Sequence, residues 1–181
     1  MSSRAKCPDT MTADEFKRLF LPCHQQLYRV AYRLTGNRED AEDIVQETFM
    51  KIWNSRERIG KLDNPAAFCM ATLKNIFVDS VRKNHAEYDS GLSADEVTVA
   101  SDADIGQQIE SRDEVDKVMG LIDRLPANQR DVMKMRDIAD LPFEEIEAAT
   151  GLSPGNIRTL LSRARKKIKE QYIALLKYER I

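Results

Sequence analysis

Apolar residues in the first part of the chain recur every three or four positions, the period of a helix with one buried face. Phe16, Leu19, Phe20, Cys23, Leu27, Val30, Ala31 and Leu34 form the first such series, and Thr12 and Glu15 before it have the spacing of a capping box. Pro22 lies inside the series and predicts a kink or a split. Gly36 ends it and Asn37 caps a second helix, whose buried stripe is Ala41, Ile44, Val45, Thr48, Phe49, Ile52 and Trp53. After a loop over 55–63, Asn64 as N-cap and Pro65 at the first helical position open a third helix. It is expected to bury Phe68, Ala71, Ile76, Phe77 and Val81. Three amphipathic helices of this kind predict a small bundle.

The pattern then lapses. Residues 84–107 have little periodicity and are rich in Ser, Asp, Glu, Ala and Gly, a stretch longer than the ~12 to 15 residues of an ordinary loop, so they are expected to form a linker or an extended functional segment. Helical spacing resumes with Ile109, Val115, Val118, Met119, Ile122 and Leu125, stops at Pro126, and continues through Val132, Met133 and Ile138. Pro142 precedes a short helix over 143–149. Gly151 breaks the chain, Ser153 caps, Pro154 takes the first helical position, and a last helix carries Ile157, Leu161, Ala164, Ile168 and Tyr172 inward. The expected fold is all-α: two small helical domains, 12–84 and 108–176, joined by an acidic linker over 85–107, with a helix-turn-helix in the C-terminal domain.

Charge sharpens this picture. The 181 residues carry 28 Lys plus Arg and 30 Asp plus Glu, a formal net charge of −2, which hides a strong asymmetry. Between Glu87 and Asp116 ten acids face a single base, Arg112, for a local charge of −9; the remainder is therefore +7. From Asn156 to Lys169 there are six bases and no acid. An acidic middle and a basic tail segment suit a nucleic-acid binder with a separate acidic element.

Other classes fall away. The longest apolar run, Ala66 to Ala71, is six residues, far short of the roughly 18 needed for a membrane span, and no apolar stretch follows Arg4 and Lys6, so the chain is expected to be cytoplasmic with no membrane insertion. Cys7, Cys23 and Cys69 lack CxxC spacing, and Cys23 and Cys69 fall on apolar faces, where they read as core residues rather than disulfide or zinc partners. P-loop, HExxH and GxGxxG patterns are missing, and only His24 and His85 are available as bases or ligands. Neither an enzyme nor a cofactor or metal site is expected.

Three constellations remain. The two short helices around Thr150-Gly151-Leu152 have helix-turn-helix spacing, and the outer face of the second, with Asn156, Arg158, Thr159, Ser162 and Arg163, offers donors for base edges and phosphates. Arg165, Lys166 and Lys167 extend its charge; a basic solvated face of an ordinary bundle is the plainer alternative. Asp43, Gln46 and Glu47 share one polar face of the second helix at i, i+3 and i+4. The helix macrodipole accounts for Glu39 and Asp40 near the N-terminus but not for Glu47, which leaves a protein-docking patch open. Lys61, Asp63, Lys74, Asn75, Arg82 and Lys83 interleave with Phe68 and Phe77, a mixture suited to single-stranded nucleic acid, although buried aromatics with surface lysines also produce it.

Together these residues resemble the extracytoplasmic-function group of bacterial RNA polymerase sigma factors. The stretch from Leu27 to Asn37, followed by Asp40-Ala41-Glu42-Asp43-Ile44-Val45-Gln46-Glu47-Thr48-Phe49 and Trp53, looks like the N-terminal domain of that group, and Asn75, Asp79 and Arg82 fall where its next helix has Asn, Asp and Arg. Leu125-Pro126, Arg130, Val132, Arg136, Phe143-Glu144-Glu145-Ile146, Gly151-Leu152-Ser153 and the run from Ser162 to Lys167 resemble its C-terminal domain. The chain departs from the common pattern at Phe68-Cys69, Thr72, Pro154 and Leu160. The resemblance implies a transcription initiation factor that binds the clamp helices and flap of core RNA polymerase and directs it to promoters, with an anti-sigma factor as a further partner. Asp43, Gln46 and Glu47 are then the clamp contacts. Lys61, Asp63, Asn64, Lys74, Asn75 and Arg82 serve the minus-10 element and its opening. Ser153, Asn156, Arg158, Thr159, Ser162, Arg163, Lys166 and Lys167 serve the minus-35 element. The acidic linker looks like the segment that threads through polymerase near the RNA exit path. A helix-turn-helix regulator that is not a polymerase subunit is the main alternative.

Overall fold

The computed structural model describes residues 11–59, 62–89 and 110–178. Lys61, Cys7 and most of the expected linker lie outside the described residues. Among the described residues every regular element is helical: α1 Ala13–Phe20, α2 His24–Thr35, α3 Arg38–Asn54, α4 Pro65–Asp89, α5 Glu110–Asp123, α6 Ala127–Met133, α7 Phe143–Thr150 and α8 Pro154–Tyr178. The chain divides into two compact units, up to Phe77 and from Val78, so the division falls inside α4.

In the first unit the punctuation read from the sequence acts as expected. Thr12 accepts from the Glu15 backbone N–H, and the Glu15 carboxylate accepts from the Thr12 backbone N–H at 2.8 Å, completing the capping box of α1. Pro22 splits the predicted first helix: α1 stops at Phe20, a 3₁₀ turn spans Leu21–Cys23, and α2 restarts at His24. Gly36 closes α2 in the left-handed conformation at φ 84°, and the Asn37 side chain accepts from the Asp40 N–H at 2.8 Å to open α3. α2 packs chiefly on α3, burying Leu27, Ala31 and Leu34 with Ala41, Ile44, Val45 and Ile52. Thr48 is also fully buried, its hydroxyl donating to the Ile44 carbonyl at 2.7 Å. Phe49 and Trp53 are half-buried at the bundle edge, where Phe16 meets both rings and the Arg56 guanidinium lies 4.3 Å over Trp53.

Two expectations for the third helix need correction. Ala71 is exposed, because the inward face of α4 runs through Cys69, Leu73, Ile76 and Phe77 and leaves Ala71 about half a turn away, on the opposite side. α4 also continues to Asp89, past the point where the apolar period fades, since 85–89 contain no Gly or Pro to stop it. Cys23 and Cys69 are buried free thiols, as read from the sequence. Burial pushes the Cys69 thiol up to about 12, with the neighbouring Cys23 adding to the shift, so it behaves as a small apolar core group.

The second unit gathers Leu121, Ile122, Leu125, Val132, Met135, Ile146, Ile157, Leu161, Ala164 and Ile168 into its core, with α8 packed on α5, α6 and α7. Val115, read as part of the inward stripe of α5, is 42% exposed, since the buried contacts of that helix begin at Leu121. Ile138 is likewise only half-buried. α6 widens into a π-helical turn over Lys134–Ile138, whose extra residue rotates Met135 and Ala139 into the core instead. Asp140 follows in the left-handed region at φ 55°, a conformation that Asp tolerates better than most residues. The turn also buries Lys134. Its ammonium sits 2.7 Å from the Asp123 carboxylate; desolvation lowers its pKa and the Asp123 contact opposes that fall.

Candidate nucleic-acid interface

The helix-turn-helix is built from α7, the turn at Gly151 and α8. Ile146 and Ala149 of α7 and Ile157, Leu161 and Ala164 of α8 are all buried, which fixes the roll of α8 about its axis. Gly151 reverses the chain at φ 70° with its N–H bonded to the Glu147 carbonyl at 2.8 Å. Thr150 steadies the same turn, accepting from the Leu152 N–H at 3.3 Å and donating to Ile146 O at 2.7 Å. Ser153 caps α8 by accepting from the Asn156 N–H at 3.4 Å, and Pro154 opens the helix.

With α8 rolled this way, Asn156, Arg158, Thr159, Ser162, Arg163, Lys166 and Lys167 are all exposed. Asn156 to Lys167 spans about 16 Å of helix, comparable to the width of a major groove. The Thr159 hydroxyl donates to Gly155 O at 2.9 Å, whereas Leu160 is half-buried. Lys166 reaches Glu170 only at 4.0 Å, a loose pair between exposed side chains. Arg165 behaves differently from its expected role. Its guanidinium meets the Asp137 carboxylate twice, at 2.6 and 3.1 Å, and that contact raises its pKa further, so its charge is spent within the domain.

Beside this face lies a cavity of about 450 Å³ lined by Arg136, Phe143, Arg158, Leu161, Ser162 and Arg165. Two guanidinium groups lie over the Phe143 ring, Arg136 at 5.4 Å and Arg158 at 5.3 Å. Arg136 donates to the Leu141 carbonyl at 2.7 Å and stands 4.0 Å from Asp140. Sequence reasoning passed over Arg136 and Phe143 as site residues because they reach the surface through the π-helical turn and the bend at Asp140, which no apolar period marks.

In the first unit Asp43, Gln46 and Glu47 are exposed together on α3, opposite its buried stripe. Asn64 and Asn75 lie about three turns apart along α4 and so share one side of it, while Arg82 belongs to the second unit. Asn64 also has a structural task, accepting from the Ala67 N–H at 3.0 Å as the cap of α4. Asp63 is exposed, Lys74 is half-buried about a third of a turn from Asn75, and Arg82 stands 3.4 Å from Asp79. The structure thus places most of the expected single-strand residues on one helix and its leading loop, and Lys61 lies outside the described residues. No helix among the described residues is long and apolar enough to cross a membrane.

Two family models match the chain, Sigma-70 region 2 over residues 19–87 and Sigma-70, region 4 over residues 116–168, in that order and together over well more than half of it. The chain is 32% identical to the ECF RNA polymerase sigma factor SigE of Mycolicibacterium smegmatis, over 82% of this chain and 58% of that one. It is 28% identical to the ECF RNA polymerase sigma factor SigM of Bacillus subtilis, over 90% of this chain and 96% of that one. It also aligns at 25% identity and a TM-score of 0.46, over 87% of this chain and 96% of the other, with the sigma factor RpoE of Bartonella quintana, solved in complex with the anti-sigma factor NepR. The chain spans little more than half the length of the mycobacterial relatives it matches. Two sigma-70 regions in family order, on helices whose caps and buried faces account for the quoted motifs, lead to one assignment: the chain belongs to the extracytoplasmic-function group of RNA polymerase sigma factors.

Proposed function

We propose that the chain is a promoter-specificity subunit that binds core RNA polymerase, brings it to promoters by their minus-10 and minus-35 elements, and assists opening of the duplex. The observation that carries this reading is the pairing, in one chain, of an acidic helix face unsuited to DNA with a helix-turn-helix whose outer face is basic. DNA repels Asp43 and Glu47, so their exposed face on α3 suits a protein partner, the polymerase clamp helices, with Gln46 between them as a neutral donor and acceptor. On α8, Arg158, Thr159, Ser162 and Arg163 take the bases of the minus-35 element. Asn156 and Ser153 lie at the groove-entering end of the helix, and Lys166 and Lys167 hold phosphates beyond it.

Asn75 and Arg82 on α4, with Lys74 and the loop that carries Lys61, Asp63 and Asn64, receive an unpaired base of the minus-10 element. The polymerase flap is the partner of the second unit, and an anti-sigma factor is the regulator that members of this group commonly have. A subunit of core polymerase acts where the chromosome is, so the proposed role is a cytoplasmic one.

Charge reversal on α3 tests the reading. Asp43→Lys with Glu47→Lys is expected to weaken co-elution with core polymerase at least tenfold in apparent affinity while circular dichroism shows unchanged helix content, because neither side chain enters the core. Failure of the unaltered protein to bind core polymerase would contradict the proposal, and unchanged affinity of the double variant would return this face to an ordinary solvated helix surface.

A further inference from the structure

We infer that Phe143 is a positioning residue for Arg158, with Arg136 holding the ring, so that the pair fixes the direction in which Arg158 approaches the base pairs. The inference rests on the reading of α8 as the helix that enters the duplex. Of the three guanidinium groups lining the cavity, two are committed within the domain. Arg165 is gripped by Asp137, and Arg136 is pinned to the Leu141 carbonyl. The third is not: among the described residues no carboxylate pairs with Arg158. Its guanidinium lies over the face of Phe143, 5.3 Å from the ring centre, a contact that consumes none of its N–H donors.

An exposed arginine samples many rotamers, and a base contact through two donors needs the flat group in one plane. Stacking on an aromatic face restricts that plane without consuming a donor, which an ion pair would do. Phe143 suits the task because it is itself fixed. It is the first residue of α7, half-buried directly after Pro142, and the anchored Arg136 lies over the same ring at 5.4 Å.

The test uses the full-length protein with core polymerase, a duplex selected by that complex from a random pool, its single base-pair variants, and a scrambled duplex. Arg158→Ala is expected to flatten the preference at one or two base pairs. Phe143→Leu should lower discrimination at the same base pairs by about two- to fivefold, the range of an exposed cation–aromatic contact. Its affinity for the scrambled duplex and its salt dependence should stay unchanged. Phe143→Tyr, which keeps the ring, should restore the profile, and Phe143→Leu should add nothing in the Arg158→Ala background. A Phe143→Leu loss that is equal on all duplexes, or that persists without Arg158, overturns the positioning role while leaving Arg158 as a reader. An unchanged base profile in Arg158→Ala overturns the reader itself, and the inference with it.

Discussion

Lys134 and Asp123 show how a single buried charge depends on its partner. The ammonium is almost entirely enclosed, with 4% of the side chain exposed, while Asp123 keeps 35%. Asp123→Asn removes the carboxylate that meets the ammonium at 2.7 Å and should destabilise the second unit by about 3 kcal/mol, the low end for breaking a buried pair because the aspartate is partly solvated. Lys134→Met keeps the volume, removes the buried charge, and frees Asp123 toward water, so its effect should be small. Urea denaturation of both variants checks this asymmetry; equal losses would show that the ion pair itself, and not the stranded charge, matters. Glu15 gives a pH-dependent counterpart. Its bonds to the Thr12 backbone and hydroxyl hold its carboxyl below the ordinary range. The unfolded chain therefore binds the proton first, and the capping contribution is present above about pH 4.5 and is lost as pH falls through the lowered native value. Amide protection at the start of α1, taken relative to the intrinsic exchange rate at each pH, should fall over that window in the unaltered protein and stay flat in Glu15→Gln.

At the scale of elements, Gly151 carries the geometry of the whole helix-turn-helix. A Cβ added there meets nothing within 4 Å, so the cost of substitution is backbone strain at φ 70° rather than a clash. Gly151→Asn should be tolerated to within about 1 kcal/mol, and Gly151→Val should cost more and weaken duplex binding through the altered crossing of α8; thermal melts and duplex titrations read both. Caps and breakers of this kind are the features that were legible in the sequence, because each acts on its own neighbours. Pro22, Gly36, Asn37, Asn64 and Gly151 could be placed by residue type alone. What stayed hidden depends on contacts distant in sequence. The π-helical turn that exchanges Ile138 for Met135, the burial of Lys134 beside Asp123 of α5 and the capture of Arg165 of α8 by Asp137 each depend on residues distant in the chain. The interface was legible to the same degree. Arg158 and its neighbours follow from the period of α8, whereas the Phe143 ring beneath Arg158 comes from another helix and shows only in three dimensions.

For the whole molecule, the near-zero net charge is a balance between a −9 segment and a basic remainder, and the proposed function assigns a protein partner to the acidic face of α3 and a DNA partner to the basic face of α8. A duplex binder needs only α8 and its phosphate contacts. A polymerase subunit needs these together with the acidic face of α3 and the polar side of α4, and their joint action can be read in one assay. Purified core RNA polymerase, given genomic fragments with and without this protein, is followed by mapping of the RNA 5′ ends. The account predicts discrete start sites that appear only with the protein and are lost on charge reversal at Asp43 and Glu47, which leaves duplex binding by α8 intact. Duplex binding that brings no new start site from core polymerase would contradict it.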